Sequence, residues 1–153
     1  MANTYSQIYI QVVFAVKGRE SRLEKSWREE VFKYMAGIIK AKNHKPIIVN
    51  GVADHVHLFI GLKPTMSVSD LVREIKNNTS NMINNKRLVK GKFNWQEGYG
   101  AFSYSHSQIG DVYQYILNQE KHHQDKSFRE EYLKILQKSE IEYDERYLFE
   151  WLE

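Results

Sequence analysis

The stretch YSQIYIQVVFAV alternates, with Ile8, Ile10, Val12, Phe14 and Val16 on one side, which is the period of a strand with one buried face. From about Lys25 to Lys42 the period lengthens. Trp27, Val31, Tyr34, Met35, Ile38 and Ile39 recur at three- and four-residue spacing and predict a helix. Pro46 opens a short strand, IIVNGV, and NGVAD turns the chain into HVHLFIGL, a hairpin by its turn residues. After KPT, Ser67 and Asp70 have capping-box spacing ahead of Val68, Leu71, Val72, Ile75, Met82 and Ile83, the stripe of a second helix. GYGAFSYSH predicts a fourth strand, SQIGDVYQYILNQEKHH a third helix and SFREEYLKILQ a fourth.

Strand, helix, strand, strand, helix, strand is the order of an α+β ferredoxin-like, split βαβ fold. It predicts an antiparallel sheet whose two crossover helices cover one face, followed by additional C-terminal helices. The 153 residues, 42% hydrophobic with two prolines, suit one domain over 1–153. The chain has no cysteine, which excludes a disulfide framework and any thiolate metal site. No apolar run approaches the roughly 20 residues of a membrane span, and the N-terminus lacks signal-peptide features, so a cytoplasmic protein is expected. Residues 140–153 hold six acidic side chains and one basic, leaving 21 basic against 13 acidic in residues 1–139. The body is therefore basic, as a polyanion-binding surface or simply a solvated one would be.

Candidate chemistry begins at DHVHLFI, residues 54–60. If the crossover helices pack on Val56, Leu58 and Ile60, then His55 and His57 project from the face those helices leave open. An H-x-H pair there can be a solvated polar pair, two hydrogen-bonded histidines under a covering helix, or two imidazoles sharing a metal ion. On the third helix Ile109, Val112, Tyr113 and Ile116 form the apolar stripe, with Tyr115, Gln119 and His122 together on its flank. Tyr115 and Gln119 at i and i+4 can meet the histidines, the tyrosine as a phenolate nucleophile and the glutamine as a carbonyl ligand.

These residues carry a resemblance. DHVHLFI, KPTMSVSDLVREIKNNTS, FNWQEGYGAFSYSHSQ and VYQYILNQEKHH, in that order, resemble the single-tyrosine transposases of the HUH endonuclease superfamily, the TnpA-type insertion-sequence enzymes and their repeat-associated relatives. The resemblance implies that His55 and His57 bind a divalent ion, Mg2+ or Mn2+, with Gln119. It also implies that Tyr115, beginning Y-x-x-x-Q, is the nucleophile on a C-terminal catalytic helix. Tyr113 has Leu117 where the glutamine would stand. The first strand departs from many relatives, which carry a histidine at or near Gln11.

The implied function is metal-dependent cleavage and rejoining of single-stranded DNA at insertion-sequence ends, folded as hairpins, through a 5'-phosphotyrosine. The implied assembly is a homodimer with shared active sites, and Gly110 is a candidate hinge for the tyrosine helix. Arg73, Lys76, Lys86, Arg87, Lys90 and Lys92 form the densest basic stretch and are candidates to follow a phosphate backbone. Trp95, Tyr99 and Phe102 are candidates for base stacking or for the core. A non-catalytic nucleic-acid-binding module of the same fold, and a nuclease that uses water, remain alternative readings.

Overall fold

The computed structural model describes residues 3–152. The alternating stretches form β1 (Tyr9–Ala15), β2 (Lys45–Gly51), β3 (His55–Gly61) and β4 (Gly100–Tyr104). They pair antiparallel throughout in the order β2-β3-β1-β4. The two crossovers are α1 (Arg28–Ala41) and α2 (Val68–Asn85). Ser67 caps α2 by accepting from the Asp70 amide at 3.1 Å, as its spacing predicts. Helix α1 starts later than the apolar period suggests, because Trp27 sits at the cap position and packs into the core.

One sheet face is apolar across its two central strands. Ile10, Val12 and Phe14 of β1 and Val56, Leu58 and Ile60 of β3 pack against Val31, Phe32, Met35 and Ile39 of α1 and Leu71, Ile75 and Ile83 of α2. Each such side chain contributes about 1.5–3 kcal/mol by leaving water. Trp95 belongs to this core, edge-on to Phe14 at 4.8 Å, and Phe102 is also buried, whereas Tyr99 is exposed.

The other face, which the crossover helices leave free, is closed by the C-terminal part of the chain. It is covered by α3 (Ile109–Leu117), α4 (Gln119–Asp125) and α5 (Phe128–Lys138). Val112 and Ile116 cover Phe59, and Phe128 stacks on His55 with ring centroids 3.8 Å apart. The predicted third helix is two helices, broken at Asn118. Asn50 of β2 donates to the carbonyls of Ile116 and Leu117 at 3.0 and 3.2 Å, and the Asn118 side-chain amide donates to the Gln114 carbonyl at 2.8 Å. The last carbonyls of α3 are thus satisfied by side chains instead of by a continuing helix. Tyr113, expected in the apolar stripe, is exposed.

Helix α5 is held by aromatic packing: Phe128, Tyr132, Phe149 and Trp151 pack on one another, and the Phe102 ring lies 6.4 Å from that of Tyr132. Gly100 makes this approach possible, since a Cβ there would lie 2.5 Å from the Tyr132 hydroxyl. Among the described residues no helix is long and apolar enough to cross a membrane.

Candidate metal centre and nucleophile

Strand alternation puts His55 and His57 side by side on the covered face, their cross-strand partners being Ala15 and Val13. The rings lie 5.1 Å apart and are fully buried. Each ring is gripped by its Nδ1. Asp54 Oδ1 lies 2.6 Å from His55 Nδ1, and the Gln11 amide lies 2.8 Å from His57 Nδ1. Tyr104 in turn donates to Gln11 Oε1 at 2.8 Å, so two strands orient the second histidine. Both Nε2 atoms then point at the same place: His55 gives its Nδ1 proton to an acceptor, as metal-binding imidazoles do, whereas His57 Nδ1 accepts from the Gln11 amide.

That place is taken up by Glu131, from α5. Its Oε1 lies 2.9 Å from His55 Nε2, 3.2 Å from His57 Nε2 and 2.9 Å from His123 Nε2. Its Oε2 accepts from Gln119 Nε2 at 2.9 Å and from the Tyr115 hydroxyl. Gln119 Oε1 is 3.2 Å from His55 Nε2. The structure therefore brings together all four residues singled out for chemistry, His55, His57, Tyr115 and Gln119. It adds Glu131 and His123, which sequence reasoning missed. A readable sign of Glu131 existed: in SFREEYLKILQ it falls among Phe128, Tyr132, Ile135 and Leu136 on the apolar stripe, where a carboxylate is expensive unless partnered.

The donor set has too many lone pairs for neutral rings. His55 gives its Nδ1 proton to Asp54, and His123 gives its own to the Lys126 carbonyl at 2.8 Å. Their Nε2 atoms would then face Glu131 Oε1 acceptor to acceptor, which needs either an added proton or a cation between them. For His55 the solution in the ion-free protein is protonation. Burial opposes charge on His55, but Asp54 and Glu131 overcome it and push the pKa up to about 9. Burial likewise opposes ionisation of Glu131, but its contacts with the three imidazoles of His57, His123 and His55 hold it far below the usual carboxylate range. For His57 burial wins and lowers the pKa. A divalent ion is the other solution: His55, His57 and Glu131 offer ligand atoms all within 4.8 Å of one another, so the residues fit the ion.

Tyr115 is half-buried at the edge of this cluster, with the His122 ring stacked on it at 4.8 Å. Burial first, and then the negative charge and hydrogen bond of Glu131, raise its pKa well above that of a free phenol.

The six basic candidates lie elsewhere. Arg73, Lys76, Lys86, Arg87, Lys90 and Lys92 belong to α2 and the loop after it, in the layer on the opposite face of the sheet. Arg73 pairs with Asp70 and Lys86 with Glu30. Lys76 donates to the Gln96 and Gly98 carbonyls at 2.9 and 2.6 Å, and burial brings its pKa down to about 8.

An antiparallel β2-β3-β1-β4 sheet bearing a buried H-x-H pair, with a tyrosine and glutamine helix pair laid over it, defines a single-tyrosine HUH transposase. Residues 4–119 match the family model described as "Transposase IS200 like", and the chain belongs to that family. Two solved structures share the fold. A protein from Deinococcus radiodurans R1 described as a transposase matches with TM-score 0.61 and 20% identity, covering 78% of this chain and 95% of its own. The REP-associated tyrosine transposase bound to a REP hairpin matches with TM-score 0.60 and 13% identity, covering 80% of this chain and 73% of its own. No curated protein sequence matches the chain.

Proposed function

We propose that residues 1–153 act as one enzyme domain that cuts and rejoins single-stranded DNA at insertion-sequence ends through a 5'-phosphotyrosine on Tyr115. The observation that carries this reading is the meeting of the Tyr115 hydroxyl and both histidine Nε2 atoms on one carboxylate, Glu131. His55, His57 and Glu131 would hold the divalent ion, with Gln119 Oε1 at hand. Mixed imidazole and carboxylate ligands suit Mn2+ at least as well as Mg2+. When bound, the ion supplies positive charge against the developing charge of the scissile phosphate.

The chain's own residues do the rest. Asp54 and Gln11 fix the two imidazoles. Glu131 Oε2 accepts the hydrogen bond from the phenol and so orients the attacking oxygen; held far below the usual carboxylate range, it does not keep the proton, which ends on the leaving 3'-oxygen. The Tyr115 oxygen bonds to phosphorus, the 3'-oxygen leaves with one strand end, and the phosphotyrosine retains the bond energy for rejoining. A hairpin-bearing single strand is the substrate suggested by the fold's likeness to the hairpin-bound transposase. A homodimer exchanging tyrosine helices through Gly110 is compatible with this chemistry, although within one chain Tyr115 already reaches Glu131. Co-expressing His57→Ala and Tyr115→Phe subunits tests the exchange, because activity returns only if sites are shared.

The raised pKa of Tyr115 favours one competitor, a nuclease using water. Incubation with a labelled single-stranded oligonucleotide and Mn2+ separates the two. A covalent adduct on a denaturing gel, lost in Tyr115→Phe, supports the transferase. Cleavage with no adduct supports the nuclease, and neither product leaves only a binding module.

A further inference from the structure

Two clefts, sharing Tyr115, Ile135 and Lys138 in their linings, open at the nucleophile. One, of 620 Å³, lies between β4, α3 and α5 and includes Phe102, Tyr104 and Asp111. The other, of 290 Å³, lies between α4 and α5, and its rim carries Lys126, Lys134 and Lys138 around Tyr115, His122 and Glu131. Either offers a strand a path from solvent to the tyrosine.

The second cleft differs from the α2 stretch in how its charges are used. All three lysines are exposed, and none makes an ion pair among the described residues. Glu131 is the one carboxylate lining the cleft, and its oxygens are spent on three imidazoles, an amide and the phenol. No carboxylate of the cleft is therefore left to balance the lysine charges. The Lys126 amine beside Lys134, with Lys138 adding to it, holds Lys134 below the usual lysine range. Like charges gathered without a counter-charge destabilise the free protein and are relieved by a bound anion. Lys134 and Lys138 stand one helical turn apart on the same side of α5, so they can engage a backbone along its length.

Accepting the strand-transferase reading of Tyr115, we propose that Lys126, Lys134 and Lys138 form the subsite for the backbone phosphates that flank the scissile phosphate of the single strand. The α2 stretch plays no part in it. These lysines are positioning residues that lay the strand across Tyr115.

The test is binding of a fluorescein-labelled single-stranded oligonucleotide, followed by anisotropy across a salt series without divalent ion, in a Tyr115→Phe background that forms no covalent bond. Replacing all three lysines with glutamine should weaken binding at least tenfold at low salt. It should also flatten the slope of log affinity against log salt by about 0.7 for each phosphate that is no longer neutralised, roughly two units in all. Arginine at the three positions should restore both. Glutamine at Arg87, Lys90 and Lys92 should change neither. An unchanged slope in the Lys126/134/138 variant, a slope that falls instead in the α2 variant, or no binding by the parent protein would each overturn the proposal. The covalent-adduct assay is read separately. An absent adduct with the lysine effect intact rejects the strand transferase alone, and an adduct with no lysine effect rejects the lysine subsite alone.

Discussion

The two faces of β3 are equally buried and opposite in kind. Val56, Leu58 and Ile60 face α1 and α2, whereas His55, His57 and Phe59 face α3, α4 and α5, and all six are inaccessible to solvent. On the first face the helix side chains are apolar except Thr79, whose hydroxyl is satisfied by the Ile75 carbonyl. On the second, a carboxylate, three imidazoles and an amide are packed together with more acceptors than neutral groups can satisfy. Apolar burial of that quality needs no ligand to complete it. A buried polar cluster is stable only when fully partnered, and here the missing partner is positive charge, which a proton on His55 supplies in the ion-free protein and a bound cation can supply in its place. The same strand thus carries the fold on one side and the chemistry on the other.

The contrast predicts that function and stability can be broken separately. The largest effect belongs to Tyr115. Removing its one oxygen in Tyr115→Phe should lower strand cleavage by about 10⁴-fold or more while costing about 1 kcal/mol of stability, one hydrogen bond. Tyr113→Phe should retain the adduct. Peptide mapping of the adduct to Tyr113 would end the assignment. On the opposite face the order reverses: Leu58→Ala should cost about 2–5 kcal/mol in a denaturant titration, with the remaining folded protein still able to bind ions.

A smaller effect sharpens the polar side. Mn2+ at a hundred times its dissociation constant should stabilise the parent protein by about 2.7 kcal/mol, seen as a rise in thermal midpoint. The rise should vanish in His57→Ala and in Glu131→Gln. A full rise in either would mean that the ion binds elsewhere.

The smallest effect is one of pH. In the ion-free protein His55 keeps its proton up to about 9, so below that value an ion must displace a proton to bind. Raising the pH removes the competitor. Affinity for Mn2+ should therefore increase roughly tenfold per unit from the ordinary histidine range upward and level off near 9. A flat profile between pH 7 and 8 would show that no such proton is displaced.

Much of this was legible in the sequence because it is local. Alternation in YIQVVFA and HVHLFIG sets both strands and puts the two histidines on one face. The stripe beginning at Val68 and its Ser67 cap set the second crossover. Tyr115 and Gln119 were readable as a pair, although the chain between them is not one continuous helix. What stayed hidden depends on residues distant along the chain. The break at Asn118 is shaped by Asn50, 66 residues before Ile116, which no helical period records. Glu131 was hidden by its neighbours, for SFREEYLKILQ reads as an ordinary amphipathic helix unless one asks why an acid sits on its apolar side. The lysine cleft needs the packing of α5 against α4, and charge density along the chain pointed instead to α2, where Asp70, Glu30 and backbone carbonyls already engage Arg73, Lys86 and Lys76. A covering helix over the histidines was among the sequence readings, but the extent of the cover was not, because three C-terminal helices, anchored by Phe128, Tyr132 and Trp151, fold back over that face.

Whether the buried polar face of β3 is a metal centre can be decided by anomalous diffraction from crystals grown with Mn2+ and recorded at the manganese edge. One strong peak is expected, bounded by His55 Nε2, His57 Nε2 and the Glu131 carboxylate, with the Tyr115 side chain beside it. No peak there, with Glu131 still seated between the imidazoles at saturating Mn2+, would refute the metal centre.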